Sequence, residues 1–142
     1  MKRKLKKIHL QDPEYYKSQL LHWVQQFDVF VWLDSNGYHQ KYSSYDAVLA
    51  VGVHKKITCD CKDAFGKLKS FQKNINDYLF GYFGYDLKND LEDLSSNNYD
   101  GLGFSDLFFF QPKKLFFLKK GILEGKSCRV IYRYDINTSN NL

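Results

Sequence analysis

Cysteine is scarce, and what there is does not pair. The chain holds three, Cys59, Cys61 and Cys128. On a strand, Cys59 and Cys61 point to the same face, a poor geometry for a relaxed disulfide and for a four-ligand zinc site. Reduced thiols are the expectation, with no metal site. Long apolar runs are missing too. Nothing approaches the roughly 18 residues that would cross a bilayer as a helix. The basic start is followed by His9, Gln11, Asp12 and Glu14 rather than by the apolar stretch of a secretory signal. The four histidines, at 9, 22, 39 and 54, have no metal-ligand spacing. A nucleophile elbow, a P-loop, a dinucleotide fingerprint and a zinc-protease helix are all absent. No internal repeat, low-complexity tract or linker divides the 142 residues, so they suit one domain.

Acidic charge is also in short supply, but only locally. The net charge is +5, and Lys2, Arg3, Lys4, Lys6 and Lys7 account for all of it. The remaining basic residues equal the 16 acidic ones in number. The body is therefore neutral, and the basicity reads as a flexible tail over residues 1–10, with no support for a nucleic-acid partner. Residues 136–142 are polar and read as a disordered tail.

Aromatics are abundant at 18% of the chain, mostly Phe and Tyr, within a hydrophobic fraction of 44%. This is enough for a packed core. Asp12-Pro13 signals a helix start, with Asp12 as cap and Pro13 where its missing N–H costs nothing. Tyr16, Leu20, Trp23, Val24 and Phe27 then recur at helical spacing. A second helix is expected over 63–76, and a short one over 86–94. Strands are expected at 29–33, 47–53, 56–61, 78–85, 107–111, 114–119 and 127–134, with a polar loop over 95–106 and turns at Asn36-Gly37 and Lys120-Gly121. Strands and helices do not alternate regularly. The fold class is therefore α+β with a mainly antiparallel sheet and two to three helices.

Two segments stand out chemically. At Leu33-Asp34-Ser35 an apolar strand ends in a carboxylate and a hydroxyl, which could receive the ammonium of a small amphipathic ligand or merely cap the strand end. In Phe80-Gly81-Tyr82-Phe83-Gly84-Tyr85-Asp86-Leu87, two glycines in a strand imply close backbone approach or a bulge. An RNA-stacking strand would space its glycines two apart and open with a basic residue, which this segment does not do.

A helix, then Leu33-Asp34-Ser35, a strand with Val51-Gly52, a second helix, and Gly81 through Leu87, in that order, resemble the amino-terminal region of one family. It contains anthranilate synthase component I and aminodeoxychorismate (para-aminobenzoate) synthase component I. The similarity runs from about residue 23 to 117 and includes Glu92 and Asp106. Asp34 favours the aminodeoxychorismate branch. Ser95 and Ser105 stand where family members often have proline, and arginines common near Asn89 and Asp90 are absent. The resemblance implies a non-catalytic, cytoplasmic amino-terminal domain, part of a larger two-sheet architecture. The full-length enzyme would aminate chorismate to 4-amino-4-deoxychorismate in folate biosynthesis. The chorismate pocket, the Mg²⁺-binding acids and the catalytic base would lie in a carboxy-terminal domain, and a glutamine amidotransferase subunit would supply ammonia. Leu33, Asp34 and Ser35 would border a tryptophan site; Gly81, Gly84, Tyr85 and Asp86 would be structural. Anthranilate synthase component I and a self-contained small-ligand or protein-interaction module are the alternatives. A separated domain is expected to self-associate through aromatic strand faces at 108–110 and 116–117.

Overall fold

In a computed structural model of the chain, residues 3–38, 44–60, 62–88 and 103–128 are described. The element order is β1 (Lys4–His9), α1 (Pro13–Val24), β2 (Phe30–Asp34), β3 (Ala47–Cys59), α2 (Ala64–Ile75), β4 (Phe80–Phe83), a 3₁₀ turn (Tyr85–Lys88), β5 (Leu107–Lys119) and β6 (Ile122–Ser127). Six strands form one sheet in the order β1-β6-β5-β3-β2, with β4 added on β5, and every pairing is antiparallel. The fold is α+β.

The architecture turns on two long strands. β3 and β5 each run 13 residues and pair along their full length. The sequence suggests a break in each, after Val53 and after Gln111, and the structure corrects both. Gly52 at φ +70° precedes a bulge between Val53 and Lys55, and Val53 pairs with Pro112 across the ladder. Proline has no N–H to give, so it is tolerated in a strand beside such an irregularity. Both strands therefore bend together at one level. At that level their other neighbours change: β2 stops pairing at Val51, and β5 exchanges β6 for β4.

Three apolar clusters follow from this bend. Leu20 and Val24 of α1 pack on Leu49, Val51, Leu118 and Leu123, with Trp23, Phe27 and Trp32 at the margin. Asp12 caps that helix by accepting the Tyr15 N–H at 3.0 Å. Beyond the bend, Ala64 and Leu68 of α2 pack on Ile57, Leu107 and Phe109. The third cluster joins the two halves, with Phe110 from one side of the bend against Ala50, Leu115 and Phe117 from the other. Burial of such rings is the main stabilising term, at about 25 cal/mol per Å² of apolar surface.

The reading of residues 1–10 as a basic flexible tail is corrected over the described residues 3–10. Lys4 to His9 pair residue for residue with β6, from Lys4↔Ser127 to His9↔Ile122. Arg3 inserts between β6 and β4. Its Nε and Nη2 donate to Asp77 at 2.9 and 2.7 Å, and Nη2 also donates to the Pro112 carbonyl at 2.8 Å. Side-chain exposure there is only 6% for Arg3 and 5% for Asp77. The strand β6, at Ile122–Ser127, is the other element missing from the sequence reading. The expected strand at 127–134, most of the loop at 95–106 and the tail at 136–142 fall largely or wholly outside the described residues. Of the helix expected at 86–94, the described part is the 3₁₀ turn.

The aromatic runs are not the exposed faces expected of them. Phe110 and Phe117 are buried, and Phe108, Phe109 and Phe116 are partly so. Among the exposed rings around β4 are Phe65, Tyr82, Phe83, Tyr85 and Phe104. Phe65 and Phe83 stack at 5.6 Å on one face of β4, and Tyr82 and Phe108 stack at 5.8 Å on the other.

Candidate functional site

Three pieces of chain distant in sequence meet where β2 ends. α1 contributes its first turn, the β5–β6 turn contributes Lys119, Lys120 and Gly121, and the β2 end contributes Asp34 and Ser35. Together with Tyr38, Tyr45 and Asp46 they line an open groove of about 700 Å³. A smaller depression of about 440 Å³ beside it adds Leu33, Ala47 and Val48.

The expected residues Leu33, Asp34 and Ser35 are thus brought together at the groove, each with a different task. Leu33 is 54% exposed, as an outward residue on a strand pairing only with Val48. Asp34 is committed: its Oδ1 accepts the Lys17 ammonium at 3.3 Å and the Asn36 N–H at 2.8 Å, which builds an Asx turn at the strand end. Asn36 and Gly37 take the positive φ values, 50° and 70°, that such a reversal needs. Ser35 donates its N–H to the Asp46 carbonyl at 2.9 Å and accepts the Tyr38 N–H at 2.9 Å through its own carbonyl. Asp46 in turn accepts the Lys120 N–H at 2.7 Å on Oδ2, tying the groove wall to the β5–β6 turn.

Lys17 was not singled out from sequence, although one signal was present. It occupies the buried spacing of α1 with Leu20 and Val24, where a lysine must have partners. It lies 3.1 Å from Glu14 and 3.3 Å from Asp34. Burial alone would lower the Lys17 pKa, but the hydrogen bonds and charges of these carboxylates outweigh it and raise the value. Its contribution is therefore complete below the unfolded lysine pKa and is lost as pH rises through the higher folded one. Lys17→Met is expected to cost about 1–2 kcal/mol at neutral pH, discounted for partial solvent screening, by leaving Asp34 half-buried without its cation. Urea unfolding measures it; a cost near zero would mean that Asp34 is held by the Asn36 N–H alone.

The expected structural residues Gly81, Gly84, Tyr85 and Asp86 lie at the other end of the sheet and do not line the groove. Gly81 pairs with Phe109, and a Cβ on it would overlap the Phe108 carbonyl oxygen and sit 2.6 Å from Phe109 Cα. Gly84 donates its N–H to the Asp106 carbonyl at 2.6 Å, and a Cβ there would crowd the same residue at 3.1 Å. Both glycines serve close backbone approach, as the strand-interior spacing implies. Tyr85 is 83% exposed, and Lys88 Nζ lies 3.9 Å over its ring. Asp86 receives the same ammonium at 3.5 Å.

Among the described residues, no three His, Cys, Asp or Glu side chains gather as a metal site. Cys59 and Cys128 are not in a disulfide, and burial raises the pKa of the Cys128 thiol. Among the described residues no helix is long and apolar enough to cross a membrane. What the groove offers chemically is recognition: carboxylates at Asp34, Asp46 and Glu14, ammonium groups at Lys17 and Lys119, and phenol rings at Tyr38 and Tyr45. No protein-family model, curated protein or solved structure matches the chain.

Proposed function

We propose that this chain is the non-catalytic amino-terminal domain of an aminodeoxychorismate synthase component I, acting as a support and an amino-acid contact for a chorismate-binding domain. The observation that carries the reading is the setting of Leu33-Asp34-Ser35. This segment ends an edge strand at the lip of an open groove whose charges and rings suit a zwitterionic aromatic ligand. Supporting it, Gly81 of the resembling segment lies where β4 approaches β5 too closely for a side chain, and a Cβ at Gly84 would crowd Asp106 at 3.1 Å. Tryptophan is the proposed occupant, with Ser35 toward its polar end and Leu33 and Asp34 beside it. The groove is shallow on its own, so a second wall from the carboxy-terminal domain would be required for tight binding. Catalysis, with Mg²⁺ and ammonia from a glutamine amidotransferase subunit, belongs to that carboxy-terminal domain, and a cytoplasmic setting follows from the same reading. Anthranilate synthase component I remains the alternative within the family, with Asp34 favouring the first.

The coding sequence is the immediate test. A reading frame running past Leu142 into a chorismate-binding region with magnesium-binding acids is the expected finding. A stop codon at that point, with no such region elsewhere in the genome, contradicts the proposal. A second reading has its own support: the groove walls described above come entirely from this chain, as a self-contained small-ligand module would require. Calorimetric titration with free tryptophan separates the two, since the module binds it unaided and the domain binds it weakly or not at all.

A further inference from the structure

Edges of a sheet are reactive, and this chain guards most of its own. β1 carries Lys4, Lys6 and Lys7. Beyond Val51, where β3 loses its outer neighbour, it carries His54, Lys55 and Lys56 around a bulge. β4 is only four residues long and includes Gly81. Lysines, bulges and shortness are the devices that prevent edge-to-edge pairing. β2, five residues long, has no lysine and no bulge, and Phe-Val-Trp-Leu-Asp also lacks a proline and a glycine. Among the described residues no strand covers its outer side.

The hydrogen-bond parity of that edge is fixed by two bonds. Gly52 donates its N–H to the Val29 carbonyl, and Ser35 donates its N–H to the Asp46 carbonyl. In an antiparallel ladder, inward bonding alternates, so residues 29, 31, 33 and 35 bond to β3. The N–H and C=O groups of Phe30, Trp32 and Asp34 point outward. A second copy of the strand, antiparallel and related by a two-fold axis at Trp32, would place Trp32 opposite Trp32, and Phe30 opposite Asp34, in bonded pairs. All six outward polar groups would then be matched. Val31 would face Leu33 across the seam, covering a side chain now 54% exposed. The only charge on β2 is Asp34, and this register sets it against Phe30 rather than against its own copy.

From this we infer that β2 is a self-pairing edge, and that two copies of the chain join through it into one continuous sheet. Five residues per strand make a small interface, so the association is weak and reversible. It rests on β2 alone and does not require the chorismate reading, although it uses Leu33 and Asp34, which that reading sets beside the ligand.

Sedimentation of the full chain over a concentration series reaching the millimolar range tests it, together with two variants of the exposed Phe30. Phe30→Asp sets like charges opposite each other twice per dimer and should weaken association about tenfold. Phe30→Lys sets opposite charges there and should tighten it by a similar factor. Circular dichroism establishes that each variant is folded. Amide exchange should slow with concentration at Phe30, Trp32 and Asp34 and stay unchanged at Val31 and Leu33. A chain that remains monomeric throughout, or two substitutions that shift association in the same direction, overturns the inference. So does protection that spreads beyond the outward residues.

Discussion

Replacing Gly81 by alanine should destabilise the protein by about 3 kcal/mol or more, the upper end of what forced overpacking costs. The reason is that the added carbon meets backbone rather than a side chain. It would overlap the Phe108 carbonyl oxygen and the Phe109 Cα, which belong to the central strand β5 and pair on both sides. Only withdrawal of β4 relieves the clash, and withdrawal also exposes the Tyr82–Phe108 and Phe83–Phe109 ring contacts. Gly125 supplies the control on a neighbouring strand. A Cβ there would find Phe116 Cδ1 at 3.7 Å, an ordinary contact, so Gly125→Ala should be neutral or stabilising by up to about 1 kcal/mol. Urea unfolding of both variants measures the difference. Equal stabilities would mean that β4 does not lie against β5 in this register.

Arg3→Ala should cost about 3–5 kcal/mol, the usual consequence of removing one partner from a buried ion pair. The stranded group is Asp77. Burial by itself would raise its carboxyl pKa. Hydrogen bonds from Arg3, Gln111 and the Tyr78 backbone N–H, with the Arg3 charge, outweigh this and hold it below the ordinary aspartate value. The sign of the pH dependence follows. A depressed folded pKa gives stability that is complete above the unfolded value and lost as pH falls through the folded one. The wild-type chain should therefore lose stability on acidification below the ordinary aspartate range, and Asp77→Asn should flatten that acid limb. Its cost should be largest near neutrality and shrink as the wild type protonates. Unfolding at a series of pH values measures it, and an Asp77→Asn profile parallel to wild type would contradict the buried pair. Because Arg3 immediately precedes β1, Arg3→Ala should also loosen amide protection along Lys4–His9.

That second result concerns a segment that sequence reasoning discarded, and the reason is physical. Lys-Leu-Lys-Lys-Ile-His has charge on both faces and little burial, with Ile8 alone partly covered. Nothing local marks it as a strand; its register is set by β6, more than a hundred residues away. β6 is equally mute, since Ile-Leu-Glu-Gly-Lys-Ser mixes a glycine with two charges. The helices were legible because their signals are local. Asp12-Pro13 fixes the start of α1, and Ala64, Leu68 and Ile75 recur at the spacing of α2. The two long strands were half legible. The strands expected from sequence stop at Val53 and Gln111, but Val53 pairs with Pro112, so two local breaks become one shared bend. At the candidate site, the strand end Leu33-Asp34-Ser35 could be found from its polarity change. Its groove could not, because Lys17, Asp46 and Lys120 reach it from three separate elements.

If, as proposed above, the chain is the non-catalytic part of a two-domain synthase, complementation reveals it. The chain is mixed with the separately expressed downstream segment of its gene, and chorismate consumption is followed with ammonia and Mg²⁺. Turnover that appears only with both pieces, and yields 4-amino-4-deoxychorismate, is the expected result. A downstream segment fully active by itself, or one that stays inert and unbound beside a folded chain, would contradict it.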